Sequence, residues 1–128
     1  MADTETLLYT RLTGHAGLAA LVDTRVYPML LPQGATLPAL TYQRVSGART
    51  HNQSGTPILA RPRIQIDCWA ATYSGAKGLA AQVRAALDGW HAATGALASI
   101  VDNDIDDYDP ETGRYRVIID VLLWHVED

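Results

Sequence analysis

The fold is decided by the stretch RPRIQIDCWAATYSGAKGLAAQVRAALDG, residues 61–89. In its first ten residues, apolar and polar side chains alternate, which is typical of a half-buried strand. Ile64, Ile66 and Cys68 share one face of that strand, and Trp69 falls on the other. We expect the face with the isoleucines to be covered by the helix that follows.

The rest of this stretch predicts a helix that begins after Thr72 or Ser74 and ends near Leu87. Either hydroxyl side chain is a good N-cap, and Gly89 suits the exit of the chain. The apolar positions recur at helical spacing and form one stripe. These positions are Ala76, Leu79, Ala80, Val83 and Leu87.

On the N-terminal side, the chain predicts two short helices, an extended crossing and a strand. Apolar residues at helical spacing run from Leu7 to Val22. The segment after them contains Pro28, Pro32 and Pro38, which fix φ and hold the chain extended. The sequence ALTYQRV, residues 39–45, then alternates as a strand does.

On the C-terminal side, two more strands are predicted, LASIVDNDIDDYD (97–109) and RYRVIIDVLLWHVE (114–127), joined by a PETG turn. The element order is therefore α-α-β-β-α-β-β. It predicts an α+β fold in which an antiparallel sheet of about four strands carries helices on one face. A chain of 128 residues fits a single domain, residues 1–128.

Composition argues against several classes of protein. The net charge is −4, from 14 acidic and 10 basic residues, so no basic face is expected for specific nucleic-acid recognition. Cys68 is the single cysteine, which excludes an internal disulfide. The polar start of the chain predicts no signal peptide, and no apolar run approaches the ~20 residues of a membrane span.

The acidic run of residues 102–109 is the first candidate for chemistry. A calcium loop requires glycine at position 6 and glutamate at position 12, but counting from Asp102 those positions hold Asp107 and Gly113. The four histidines lack zinc-ligand spacing. No catalytic site can be assembled from the sequence, so we expect no enzymatic activity, metal or cofactor.

The polar stretch SGARTHNQSGTPILA, residues 46–60, predicts a long aperiodic loop. Loops of this length inside a small domain are commonly functional, so this one is a candidate for docking a partner. The candidate docking residues are Arg49, Thr50, His51, Asn52 and Gln53.

Several apolar residues fall on the strand faces that the helices are not expected to cover. They are Trp69 of the first quoted strand and Ile118, Leu122 and Trp124 of the last strand. Because the last strand is apolar on both faces, it is expected to be buried on both. A single copy lacks elements to cover the second face, so these residues predict a subunit interface.

A family resemblance adds to this interpretation. The stretch TRVYPMLLPQGATLPALTYQRVSG, residues 24–47, together with residues 61–89, closely resembles the tail-completion, or tail-terminator, family of long-tailed bacteriophages, prophages and gene transfer agents. The likeness runs from Leu7 to about Val126. Its most specific parts are packing signatures: Arg25-Val26-Tyr27-Pro28, Leu37-Pro38 through Tyr42, and Gln65-Ile66-Asp67-Cys68-Trp69.

The resemblance implies a structural virion protein, present in the host cytoplasm during assembly and then at the head–tail junction. It implies a hexameric ring that caps the tail tube, ends tube polymerisation and joins the tail to the head connector or stopper protein. DNA would pass through the lumen without sequence-specific binding. The partners implied are further copies, the tail tube protein and the connector, with no membrane.

Two questions stay open on sequence alone. If the strand persists, Asp102, Asp104 and Asp106 share one face, which would line the lumen, meet a partner or belong to a solvated hairpin. The alternative to a virion protein is a small ligand-binding or regulatory α+β domain, monomeric or dimeric. An enzyme with an unrecognised site is a third interpretation.

Overall fold

A computed structural model describes residues 4–49, 58–90 and 97–127. The predicted order of elements is confirmed, with one additional short strand. The elements are α1 (Thr4–Gly14), α2 (Ala16–Val22), β1 (Val26–Pro28), β2 (Ala39–Arg49), β3 (Ile58–Ala70), α3 (Tyr73–Leu87), β4 (Leu97–Asp109) and β5 (Arg114–Glu127).

The strands form one five-stranded sheet in the order β1-β2-β3-β5-β4. β1 runs parallel to β2, and the other neighbours are antiparallel. The prediction of about four strands missed β1 because three residues are too few to show a period. The proline crossing returns the chain to β2, where the Met29 amide donates to the Tyr42 carbonyl at 2.8 Å.

The core lies between one face of the sheet and the three helices, as the sequence predicts. Ile64, Ile66 and Cys68 of β3 are at most 1% exposed, and Leu79 and Val83 of α3 are fully buried. Thr72 caps α3, since its hydroxyl accepts from the Gly75 amide at 3.0 Å. Together these contacts make the strand–helix unit of residues 61–89 the centre of the core.

The loop between β2 and β3 is shorter than the sequence indicated. Gly47, Ala48 and Arg49 continue β2 and pair with Pro62, Arg61 and Ala60 of β3. A β-bulge between Arg44 and Ser46 interrupts the alternation of β2. Because of this bulge and the polar composition of the stretch, the sequence did not indicate where the strand ends.

Candidate interaction surface

The face of the sheet opposite the helices, called here the outer face, carries the predicted interface residues. On β5, the buried residues Val117, Ile119, Val121 and Leu123 alternate with half-buried ones that point to the outer face. The structure places Trp69, Ile118, Leu122 and Trp124 on this face, spread along it, with the polar pair Gln65 and Asp120 between Ile118 and Leu122.

The apolar part of the outer face continues onto the edge strand β4. Ile105 lies opposite Ile118, and Ile100 lies opposite Leu122. Ile105 remains 52% exposed and Ile100 42% exposed. In the described ranges, the helices bury most of their apolar side chains in the core on the opposite face, Leu21 and Tyr73 being exposed. The outer face therefore presents apolar side chains that a partner would cover.

A polar network occupies the neighbouring part of the outer face. The Asp67 carboxylate accepts from Gln65 Nε2 at 2.9 Å and from Arg116 Nη1 at 3.3 Å. Arg116 also donates to Asp107, and its guanidinium lies 5.0 Å from the centre of the Trp69 ring. These polar groups are thus satisfied within the chain.

Burial has the largest effect on the pKa of Asp67. Its side chain is mostly enclosed, and burial raises the pKa of the Asp67 carboxyl even though Gln65 and Arg116 act in the opposite direction. Asp107 is more exposed, and the hydrogen bond from Arg116 lowers the pKa of its carboxyl. One arginine therefore contacts two carboxylates whose environments move their pKa values in opposite directions.

An open groove of about 360 Å³ crosses this network. The segment that follows β1, Met29 to Leu31, lies along one side of it, and Asp109 and Arg114 lie on the other. Gln65, Asp67 and Arg116 line it but already bond one another. The groove thus offers few polar groups that would orient a small ligand.

The acidic strand β4 does not carry its carboxylates as the sequence predicted. A bulge between Val101 and Asn103 shifts the register, so Asp102 reaches Arg63 on the outer face, at 2.8 Å. Asp104 and Asp106 point to the helix side. The prediction that the three residues share one face is therefore wrong, because the bulge inserts one residue into the alternation.

The two carboxylates on the helix side pair with α3. Asp104 lies 3.0 Å from Arg84 Nη1, and Asp106 lies 2.9 Å from Lys77 Nζ. Hydrogen bonds from Lys77 and Tyr73 lower the pKa of the Asp106 carboxyl. Sequence reasoning missed these pairs. Lys77 and Arg84 are seven residues apart and share one face of the helix, which could have indicated an acidic neighbour.

These ion pairs hold the edge strand without burying it. The side chains of residues 102–108 are all exposed. The paired carboxylates of Asp102, Asp104, Asp106 and Asp107 keep between 41% and 46% of their surface. Each one therefore remains accessible to a second cation from outside the chain.

The predicted docking residues fall largely outside the described residues. Arg49 ends β2, whereas Thr50, His51, Asn52 and Gln53 belong to the part of the chain that is not described. Within the described ranges, no three histidine, cysteine, aspartate or glutamate residues group as metal ligands. In the same ranges, no helix is long and apolar enough to cross a membrane.

Comparison with known proteins identifies the family. The model of the family "Tail completion protein gp17" matches residues 6–125. The chain belongs to this family. The resemblance seen in the sequence is thereby confirmed, and the chain is a structural protein of a phage-type tail.

A solved structure shows the same fold. It is a chain from the "Virion of native gene transfer agent (GTA) particle", with a TM-score of 0.71 and 22% sequence identity. The alignment covers 94% of this chain and 92% of that one. No curated protein matches the sequence.

Proposed function

We propose that this protein forms a hexameric ring at the head-proximal end of a tail tube. There it ends tube polymerisation and joins the tail to the head connector or stopper protein. Its chemistry is association alone, without a catalytic site, and its place in the mature particle is the head–tail junction. The family membership supports a role in the tail, and the hexameric ring is what we propose beyond it.

The observation that carries the proposal is the outer face. Trp69, Ile118, Leu122 and Trp124 lie there half-buried, beside the exposed Ile105. Apolar side chains grouped on one face of a small protein mark an interaction site. A partner that packs on this face in the assembled particle would cover these residues.

The size of the chain suits a ring around DNA. A domain of this length has a radius of gyration of about 14 Å and a diameter of roughly 36 Å. Six equal discs in a closed ring leave a central opening about one disc wide, which admits a duplex. The net charge of −4 supports passage of DNA without adhesion.

Docking to the tube and connector is assigned to the two ends of the ring. The β2–β3 loop, with Arg49 and residues 50–53, is proposed to contact one of these partners. The acidic strand β4 is a candidate for contacting a neighbouring subunit, since its carboxylates remain accessible. The ligand-binding alternative is less well supported, because Gln65, Asp67 and Arg116 of the groove already bond one another.

Tails assembled with and without this protein test the proposal. We expect tails made with it to have uniform length and to carry heads, as seen by negative-stain electron microscopy. Tails made without it should be overlong and headless. Uniform tails with attached heads in its absence would contradict the proposed function.

A further inference from the structure

Among the described residues, the two longest stretches of strand with an open edge lie on β2 and β4. β1 covers β2 only at residues 40–42, so in the described ranges residues 43–49 pair on one side, with β3. On β4, Gly89 and Trp90 bond Ser99, and Asp88 bonds the Val101 amide. Beyond that point, the described backbone partners of residues 103–108 come from β5 alone.

The two open segments carry opposite charges. Residues 24–49 contain Arg25, Arg44 and Arg49 and no acidic residue. β4 contains no basic residue and five aspartates, which are Asp102, Asp104, Asp106, Asp107 and Asp109. Opposite charges on paired strands stabilise a sheet, and like charges destabilise it.

Each open segment also exposes one β-branched apolar side chain. Val45 on β2 is 43% exposed and Ile105 on β4 is 52% exposed. Such residues are favoured within sheets and gain from a cross-strand neighbour. The two edges therefore match each other in backbone, in charge and in apolar contact.

We propose that residues 43–49 of β2 in one copy pair with residues 103–108 of β4 in the next copy, so that the sheet continues around the ring. This inference rests on the proposed hexamer and names its subunit contact. The charges select the contact: β2 against β2 brings arginines together, and β4 against β4 brings aspartates together. Only the head-to-tail combination is attractive, and head-to-tail contacts build rings.

The strand directions are compatible with this contact. Within one chain β2 and β4 run antiparallel, because three antiparallel pairings separate them. A neighbouring copy that continues the sheet in the same orientation therefore places its β2 antiparallel to β4 of the first copy. This is the same relation that β5 has to β4 within one chain. The exposed outer-face residues next to β4 are then brought close to the neighbouring subunit.

The positions of the segments set the tilt of the strands. Asn103 is level with Gln43 across the sheet, so the open segments extend from that level in opposite directions. Pairing them shifts each copy by about 17 Å along the strands, for about 19 Å across the four strands β2, β3, β5 and β4, because β1 lies in the same row as the neighbour's β4. That ratio corresponds to a tilt of about 40°, within the range at which closed sheets run.

Two charge variants test the contact. Val45→Asp places an acid against the aspartates of β4, and Ile105→Arg places a base against the arginines of β2. Both residues are exposed, so both variants should fold, which their thermal unfolding checks. Leu21→Asp is the matched control, since Leu21 is 39% exposed on α2 and belongs to neither open segment.

Native mass spectrometry and negative-stain microscopy then report the assembly. We expect the wild-type chain and Leu21→Asp to form rings, and each edge variant to require at least tenfold higher concentration. An equal mixture of the two edge variants should recover rings. In the mixture, the acid introduced by Val45→Asp in one copy meets the base introduced by Ile105→Arg in the next.

The outcomes separate this inference from the proposed function. Wild-type rings together with unimpaired edge variants, or a mixture that fails to recover, would overturn the strand pairing and leave the ring standing. A wild-type chain that forms no ring, either alone or on isolated tail tubes, would contradict the proposed function and this inference with it.

Discussion

Arg116 and Asp67 lie on neighbouring strands with Nη1 3.3 Å from Oδ2, and yet the pKa of Asp67 is raised. Burial of the carboxylate outweighs its attraction to the guanidinium. A raised carboxyl pKa is common where an ion pair is buried and the distance between its charged atoms is long. The pair therefore orients the network on the outer face more than it stabilises the fold.

Asp67→Asn tests this balance. A raised pKa in the folded state means that stability falls as pH rises through the acid range and the buried carboxylate ionises. We expect the variant to be as stable as the wild type at pH 7, within about 1 kcal/mol, since the new amide oxygen can accept from Arg116 while its nitrogen donates to the Gln65 oxygen once the Gln65 amide turns over. Urea unfolding across the acid range measures it, and any advantage of the variant should shrink as pH falls.

Asp107→Asn is the matched control for Asp67→Asn, and its effect on stability should depend on pH in the opposite direction. Its lowered pKa means that its contribution is present above the unfolded value and is lost as pH falls. Any stability that this variant loses should therefore be lost at neutral pH and not in acid. The interpretation of Asp67 is wrong if both variants show the same pH dependence.

Ile66→Ala tests the assignment of the core face. Ile66 is fully buried between β2, β5 and the helices, so truncation should reduce the free energy of unfolding by about 2–5 kcal/mol. Ile105→Ala, on an exposed position of the same sheet, should cost about 0.5 kcal/mol or less. Equal losses at both positions would show that the two faces are assigned incorrectly.

The ion pairs of β4 lead to a prediction about assembly. Replacing Asp102, Asp104 and Asp106 together with asparagine should leave a folded chain whose ring formation requires higher concentration. The effect should diminish in high salt, where charge pairing is already screened. Normal rings and normal particles, with slowed release of DNA, would instead place these carboxylates in the lumen.

Where the sequence shows a period, it predicts this fold well. The strand–helix unit of residues 61–89 is fully visible, because ten alternating residues precede an amphipathic helix. β1 is invisible by the same reasoning, since its three residues are defined only by pairing with β2. Periodicity thus identifies elements that bury a face and misses those fixed by tertiary pairing.

The candidate surface was predicted less completely, and the reason is local. The bulge between Val101 and Asn103 moves Asp102 to the outer face, and the sequence of that run does not predict a bulge. The partners Arg63, Lys77 and Arg84 come from other elements, so the pairs depend on the fold. By contrast, the outer-face position of Trp69 follows directly from strand alternation.

The most direct test of the proposed role is electron cryo-microscopy of the assembled particle at the junction of head and tail. We expect six copies of this chain in one ring around the DNA, between the last layer of the tail tube and the connector. Density for this chain elsewhere in the particle, or in a ring without a central passage, would contradict the proposed function.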